Sequence, residues 1–137
     1  MAANLVNARL VARIGGDRLL AHAASGAALA GLAAGLAAWT GWGGLFGLAV
    51  PLILFCSASG FIVANSISGA LADFPGRAGA VSALVGSIHY GSGIVGSALV
   101  GAFADGTPSA LGWVVAFAGL GSAACARLAG TPAPRTP

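Results

Sequence analysis

His89 and Tyr90 stand side by side in the middle of an otherwise apolar stretch, and they are the residues best suited to chemistry in this chain. An imidazole titrates near neutral pH, so a histidine facing a water-filled cavity can bind a ligand or relay protons. An ionisable group in hydrocarbon is costly, which makes it a functional candidate by default. The competing reading is a histidine hydrogen-bonded to a neighbouring helix. Asn65, clustered with Ser66 and Ser68, is the other candidate, either as a ligand group or as a tie between helices. No catalytic set accompanies them. The chain shows no nucleophile–base pair, metal-ligand spacing or phosphate-binding glycine loop, so the expectation is a non-enzyme without cofactor or metal. Cys56 and Cys125 both fall in apolar runs and read as small hydrophobes rather than a disulfide.

The elements that carry these residues follow from where charge is missing. Between Arg18 and Asp73 there is no charged residue. One bilayer-spanning helix takes about 20 apolar residues, so this gap holds two spans and a turn. The whole chain is 58% hydrophobic and 7% charged, against roughly 25% charged in soluble domains. It therefore reads as an integral membrane protein, and 137 residues leave no room for a separate soluble catalytic domain. The net charge of +3 raises nucleic-acid binding. That reading fails, because the six basic residues are single, scattered arginines that form no basic stripe. Arginine without lysine, with abundant Ala and Gly, suggests a GC-rich bacterial genome and hence a bacterial inner membrane.

The expected fold class is all-α, a polytopic membrane protein with four transmembrane helices. Residues 1–18 form a basic cytoplasmic segment with Arg9, Arg13 and Arg18. Residues 19–128 form the four-helix region, and residues 129–137 a disordered cytoplasmic tail rich in Pro, Thr and Arg. The predicted spans run over residues 19–39, 45–71, 79–104 and 109–126. Trp39 and Trp42 flank the first turn, as suits a membrane–water interface. Pro51 falls inside the second span, where it removes a backbone donor and favours a kink. Asp73-Phe74-Pro75-Gly76-Arg77 makes the middle loop, and Pro108 suits a first helical position after the turn at Asp105. Arg77 lies in the middle loop, while the loops around Gly41 and Gly106 hold no basic residue. The positive-inside rule then places both termini and the Arg77 loop in the cytoplasm.

Small residues form faces. In the third span Ser82, Gly86, Gly93, Ser97 and Gly101 recur at spacings of three and four, with Tyr90 interrupting them, and Gly31 and Gly35 pair in the first span. Small faces let helix backbones approach closely, so these read as packing surfaces; the alternative is that they also slide during a transport cycle. Asp17, Asp73 and Asp105 all lie outside the spans. A proton-coupled exporter normally needs a titrating carboxylate in the membrane, and the spans hold none.

Two stretches resemble a known family. Residues 7–15, Asn-Ala-Arg-Leu-Val-Ala-Arg-Ile-Gly, followed by Arg18-Leu19-Leu20, resemble the loop between helices 8 and 9 of major facilitator superfamily transporters. Ala64-Asn65 through Gly69-Ala70-Leu71, then Phe74-Pro75, Arg77-Ala78-Gly79 and Ser82-Ala83-Leu84-Val85-Gly86, look like the helix 10–11 region of the Bcr/CflA drug-resistance subfamily. The Asp105-Gly106-Thr107-Pro108 turn fits the loop before its last helix. The resemblance implies helices 9 to 12 of a twelve-helix transporter, part of the superfamily's C-terminal half, exporting a drug-like or metabolite substrate against protons. His89 stands where the family favours an uncharged polar residue, often Gln, and Ala64 where it favours Pro. The resemblance also implies that an N-terminal half is missing, so the chain is expected to be a fragment or to need a partner chain. Two other readings remain. A small four-helix exporter acting as a dimer fits the span count but lacks the carboxylate, and a non-transport anchor or assembly subunit needs only the small-residue faces.

Overall fold

Backbone polar groups in hydrocarbon must be satisfied within the segment itself, and Ala- and Leu-rich runs do this as helices. The computed structural model describes residues 16–129, with side chains over 19–128, and these residues form helices and turns with no strand among them. Helix α1 spans Gly16–Thr40, α2 Gly44–Asp73, α3 Ala78–Ala102 and α4 Ser109–Ala129, with a 3-10 turn over Pro75–Arg77. Four segments are long and apolar enough to cross a membrane: Leu19–Thr40, Gly44–Asp73, Pro75–Ala102 and Ser109–Leu128. Arg9, Arg13 and the tail beyond Ala129 lie outside the described residues, as does the side chain of Arg18.

The ends of the helices differ slightly from the expected ones, for local reasons. Helix α1 begins at Gly16, which brings the backbone of Arg18 into its first turn. It ends at Gly41, whose φ of 68° is the left-handed conformation that closes a helix, with its N–H donating to the Ala37 carbonyl at 2.9 Å. Thr40 reinforces this end: its hydroxyl donates to the Leu36 carbonyl at 2.7 Å and accepts the Trp42 N–H at 3.3 Å. Helix α2 continues unbroken through Pro51 to Asp73. The middle loop is tighter than an open turn, because Pro75 starts a 3-10 turn closed by the Arg77 N–H on the Phe74 carbonyl. Pro108 sits one residue before α4 and contributes the first carbonyl of that helix, accepting the Gly112 N–H at 3.0 Å.

Helix α1 lies between α2 and α4 and packs extensively on both. Helix α3 meets α2 and α4 at only a few points. The buried apolar side chains described are Leu19 and ten alanines, all on α1 or α4; α2 and α3 have none. The centre of the bundle is therefore an antiparallel seam of alanine and glycine. Gly31 lies against Val115 and Ala116, Gly35 against Gly112 and Ala116, and Gly119 against Ala27 and Ala28. A β-carbon on Gly31 would stand 2.8 Å from the Val115 carbonyl oxygen, and one on Gly112 would stand 2.5 Å from the Ala38 β-carbon. The two backbones meet with no room for a side chain between them, which is how helices gain dispersion energy where lipid leaves no hydrophobic drive.

Candidate functional site

Because α3 stands off from α1, a cleft of about 790 Å³ opens at mid-height in the bundle. Ala27 of α1 lies at its floor, and α2, α3 and α4 supply its walls. This volume falls in the range of ligand pockets, about 300–1,000 Å³. Its polar groups are His89, Tyr90, Ser92 and Ser97 from α3, Ser59 from α2 and Ser122 from α4. Phe55, Ile62, Val63 and Ile94 supply apolar walls. Every charged side chain described (Asp73, Arg77, Asp105, Arg127) belongs to a helix end or a loop, and none borders the cleft.

His89 also borders a second opening of about 530 Å³, shared with Cys56, Gly60 and Ala64 of α2. Phe55, Ser59 and Val63 line both openings, so the imidazole stands in the partition between them. The Tyr90 ring meets it edge-on, with centroids 5.5 Å apart and planes at 62°. Both residues are exposed.

The hydroxyl groups divide into two sets. Ser25, Thr40, Ser57, Ser68 and Ser87 each donate to the carbonyl four residues earlier on their own helix, at 2.7–2.9 Å. Ser92 does the same to His89, three residues back, at 2.7 Å. Such bonds let a polar side chain sit in hydrocarbon without an outside partner. Ser59, Ser97 and Ser122, on three different helices around the cleft, make no such bond among the described residues. Ser66 and Ser82 make none either, but they are exposed and lie within about two turns of the polar 73–77 loop.

Asn65 lies beyond the cleft toward Asp73 and donates from Nδ2 to the Phe61 carbonyl at 2.8 Å. Gly31 and Gly35 are consumed in the α1–α4 seam, whereas β-carbons on Gly86, Gly93 or Gly101 would meet nothing within 4 Å. Ser82 is exposed at the start of α3, Ser97 faces the cleft, and Arg77 closes the 3-10 turn just before α3. Among the described residues no three His, Cys, Asp or Glu side chains converge as metal ligands, and Cys56 and Cys125 are free thiols. Sequence reading passed over Gly112 and Gly119, though Gly112, Ala116, Gly119 and Ala123 repeat the same four-three spacing on α4. It also passed over Ser59 and Ser122, which nothing in their local sequence separates from the serines that bond to their own helix.

Outside the spans, the turn before α4 is held by Asp105. Its Oδ1 accepts the Thr107 hydroxyl at 2.6 Å and the Thr107 N–H at 2.9 Å, and its Oδ2 accepts the Ser109 hydroxyl at 3.3 Å. The Thr107 bonds, side chain first and backbone second, hold the Asp105 carboxyl below the usual carboxylate range.

These features define a class: the described residues form an all-helical bundle of four helices long and apolar enough to cross a membrane, with a polar-lined cleft at mid-height. The chain matches no protein-family model, no curated protein and no solved structure.

Proposed function

We propose that this chain is the membrane-embedded C-terminal portion of an efflux transporter of the major facilitator type, exporting a small drug-like or metabolite molecule, and that it does not transport alone. It sits in a bacterial inner membrane with both termini and the Arg77 loop in the cytoplasm. The observation that carries the reading is the state of α3. This helix is long and apolar enough to cross a membrane, buries no residue and borders a ligand-sized cleft at mid-height with its polar groups. Transporters of this kind hold substrate near the membrane midplane, at the interface between helical repeats. Further helices, from the same protein or a partner chain, would cover α3 and close the cleft.

The exposed surface supports a lipid setting. Leu29, Phe46, Ile53, Ile88 and Phe117 are each more than 60% exposed, which suits hydrocarbon and not water. The spans described hold no carboxylate except Asp73 at the very end of α2, which weighs against a self-sufficient dimeric proton-driven exporter.

The test is the reading frame upstream of the Met1 codon, followed by expression of the extended product. An open frame encoding about eight further apolar helices, whose product extrudes dyes from cells, supports the reading. A stop codon in that frame shortly before Met1, together with dye extrusion by the 137-residue chain alone, overturns it.

A further inference from the structure

We infer that the mid-height cleft binds a small organic anion together with a proton, His89 carrying the proton and the hydroxyls of Ser59, Ser97 and Ser122 meeting the anion. The inference rests on the membrane-spanning reading above and adds the substrate class. Four observations carry it.

The hydroxyls outside the cleft that lie away from the loops are satisfied by their own helices, whereas Ser59, Ser97 and Ser122 keep their donors free around one space. Three hydroxyl donors not spent on their own helices and gathered around one cleft suit an acceptor-rich guest. His89 adds ring nitrogens that make no hydrogen bond among the described residues, its neighbour being the Tyr90 ring edge.

Charge selects the guest. The groups able to face His89 are few: Tyr90 on its own helix, Cys56 on α2, and no titratable or charged side chain from the cleft-lining parts of α1 or α4. A proton taken from water onto the imidazole therefore finds no carboxylate to balance it. An isolated charge at this depth is expensive, and a bound anion removes most of that cost. A cationic guest would compete with the proton. Proton and anion thus enter as a neutral pair, with no covalent step. The Phe55 and Tyr90 rings beside the serines favour an aromatic or branched body on the anion.

The test uses the full 137-residue chain in lipid nanodiscs with nitrogen-15-labelled histidine, titrated with benzoate, benzamide and benzylamine. His22, which does not border the cleft, serves as the internal reference. Expected is a benzoate-dependent shift of the His89 signals only, with benzoate affinity falling as pH rises and the imidazole gives up its proton. Benzamide binds more weakly and without pH dependence, and benzylammonium does not bind. His89→Gln abolishes the pH dependence, while Ser57→Ala, whose hydroxyl is bonded to Ile53, leaves benzoate binding unchanged. Equal binding of benzoate and benzylammonium, or benzoate affinity that stays flat with pH, overturns the inference. Alkaline carbonate extraction separates the two failures: a chain that stays in the membrane yet ignores benzoate sinks the inference alone, and a chain released by carbonate sinks the membrane reading with it.

Discussion

Helices α1 and α3 are built from the same kinds of residue and end up in opposite circumstances. Both are 25 residues long and both carry small residues at spacings of three and four. Helix α1 spends its glycines against α4, where no β-carbon would fit at Gly31 or Gly35 without displacing a neighbour. Helix α3 presents Gly86, Gly93 and Gly101 to open space. A small-residue face thus records how closely a partner can approach, and does not say whether the partner is in the same chain. The seam is also local in its economy: alanine and glycine lose little side-chain entropy on packing, so close contact is gained at small cost.

The contrast breaks first at Gly112. Gly112→Val drives its side chain into Ala38 and the Gly35 backbone, and is expected to destabilise the bundle by about 3 kcal/mol or to prevent assembly. Thermal melting in detergent, followed by tryptophan fluorescence, reads this; an unchanged melting temperature would show that the seam is not the stabilising contact. Cysteine accessibility sharpens the same point in a chain whose Cys56 and Cys125 are replaced by Ala. Ser97→Cys, beside the cleft, should react with a water-soluble maleimide at least about tenfold faster than Ala34→Cys, which is fully buried in the seam.

Gly93→Val should change the stability of the chain alone by less than about 0.5 kcal/mol, since an added β-carbon meets nothing within 4 Å. In an extended transporter the same substitution should abolish dye export if further helices lie on α3. Asp105 carries the smallest expectation. Its carboxyl is held low by the Thr107 bonds, so the folded turn prefers the ionised form. That preference stabilises the turn above the ordinary carboxylate value near 3.9, and it is lost as pH falls through the lowered folded value. Asp105→Asn should remove this acid dependence, seen as a small change at low pH in exchange protection of the first turn of α4.

Helix number and placement were legible because charge and hydropathy report the solvent a segment must face. The gap between Arg18 and Asp73 marked α1 and α2, and the structure moves the span ends by only a few residues. The packing was half legible. Gly31 and Gly35 stood out, but pairing them with Gly112 and Gly119 needs the register of two helices far apart in sequence. The cleft was less legible still. Midway placement identified His89 and Tyr90, yet Ser59 and Ser122 join them only through the offset of α3, a tertiary fact with no local signature. Asn65, prominent by type, bonds to its own helix at Phe61.

The length of α2 carries a last consequence. Its 30 residues run about 45 Å, roughly half again the hydrocarbon thickness of an ordinary bilayer, while the spans of its packing partners α1 and α3 hold 22 and 28. In a bilayer, a helix this much longer than α1 leans or pushes its ends into the headgroups. Helix α2 carries Phe55, Ser59 and Val63 of the cleft wall, so a lean that shifts it changes the width around His89. On the proposed reading, lipid chain length would then bear on the room for a guest, thin bilayers tipping α2 further and thick ones drawing it upright.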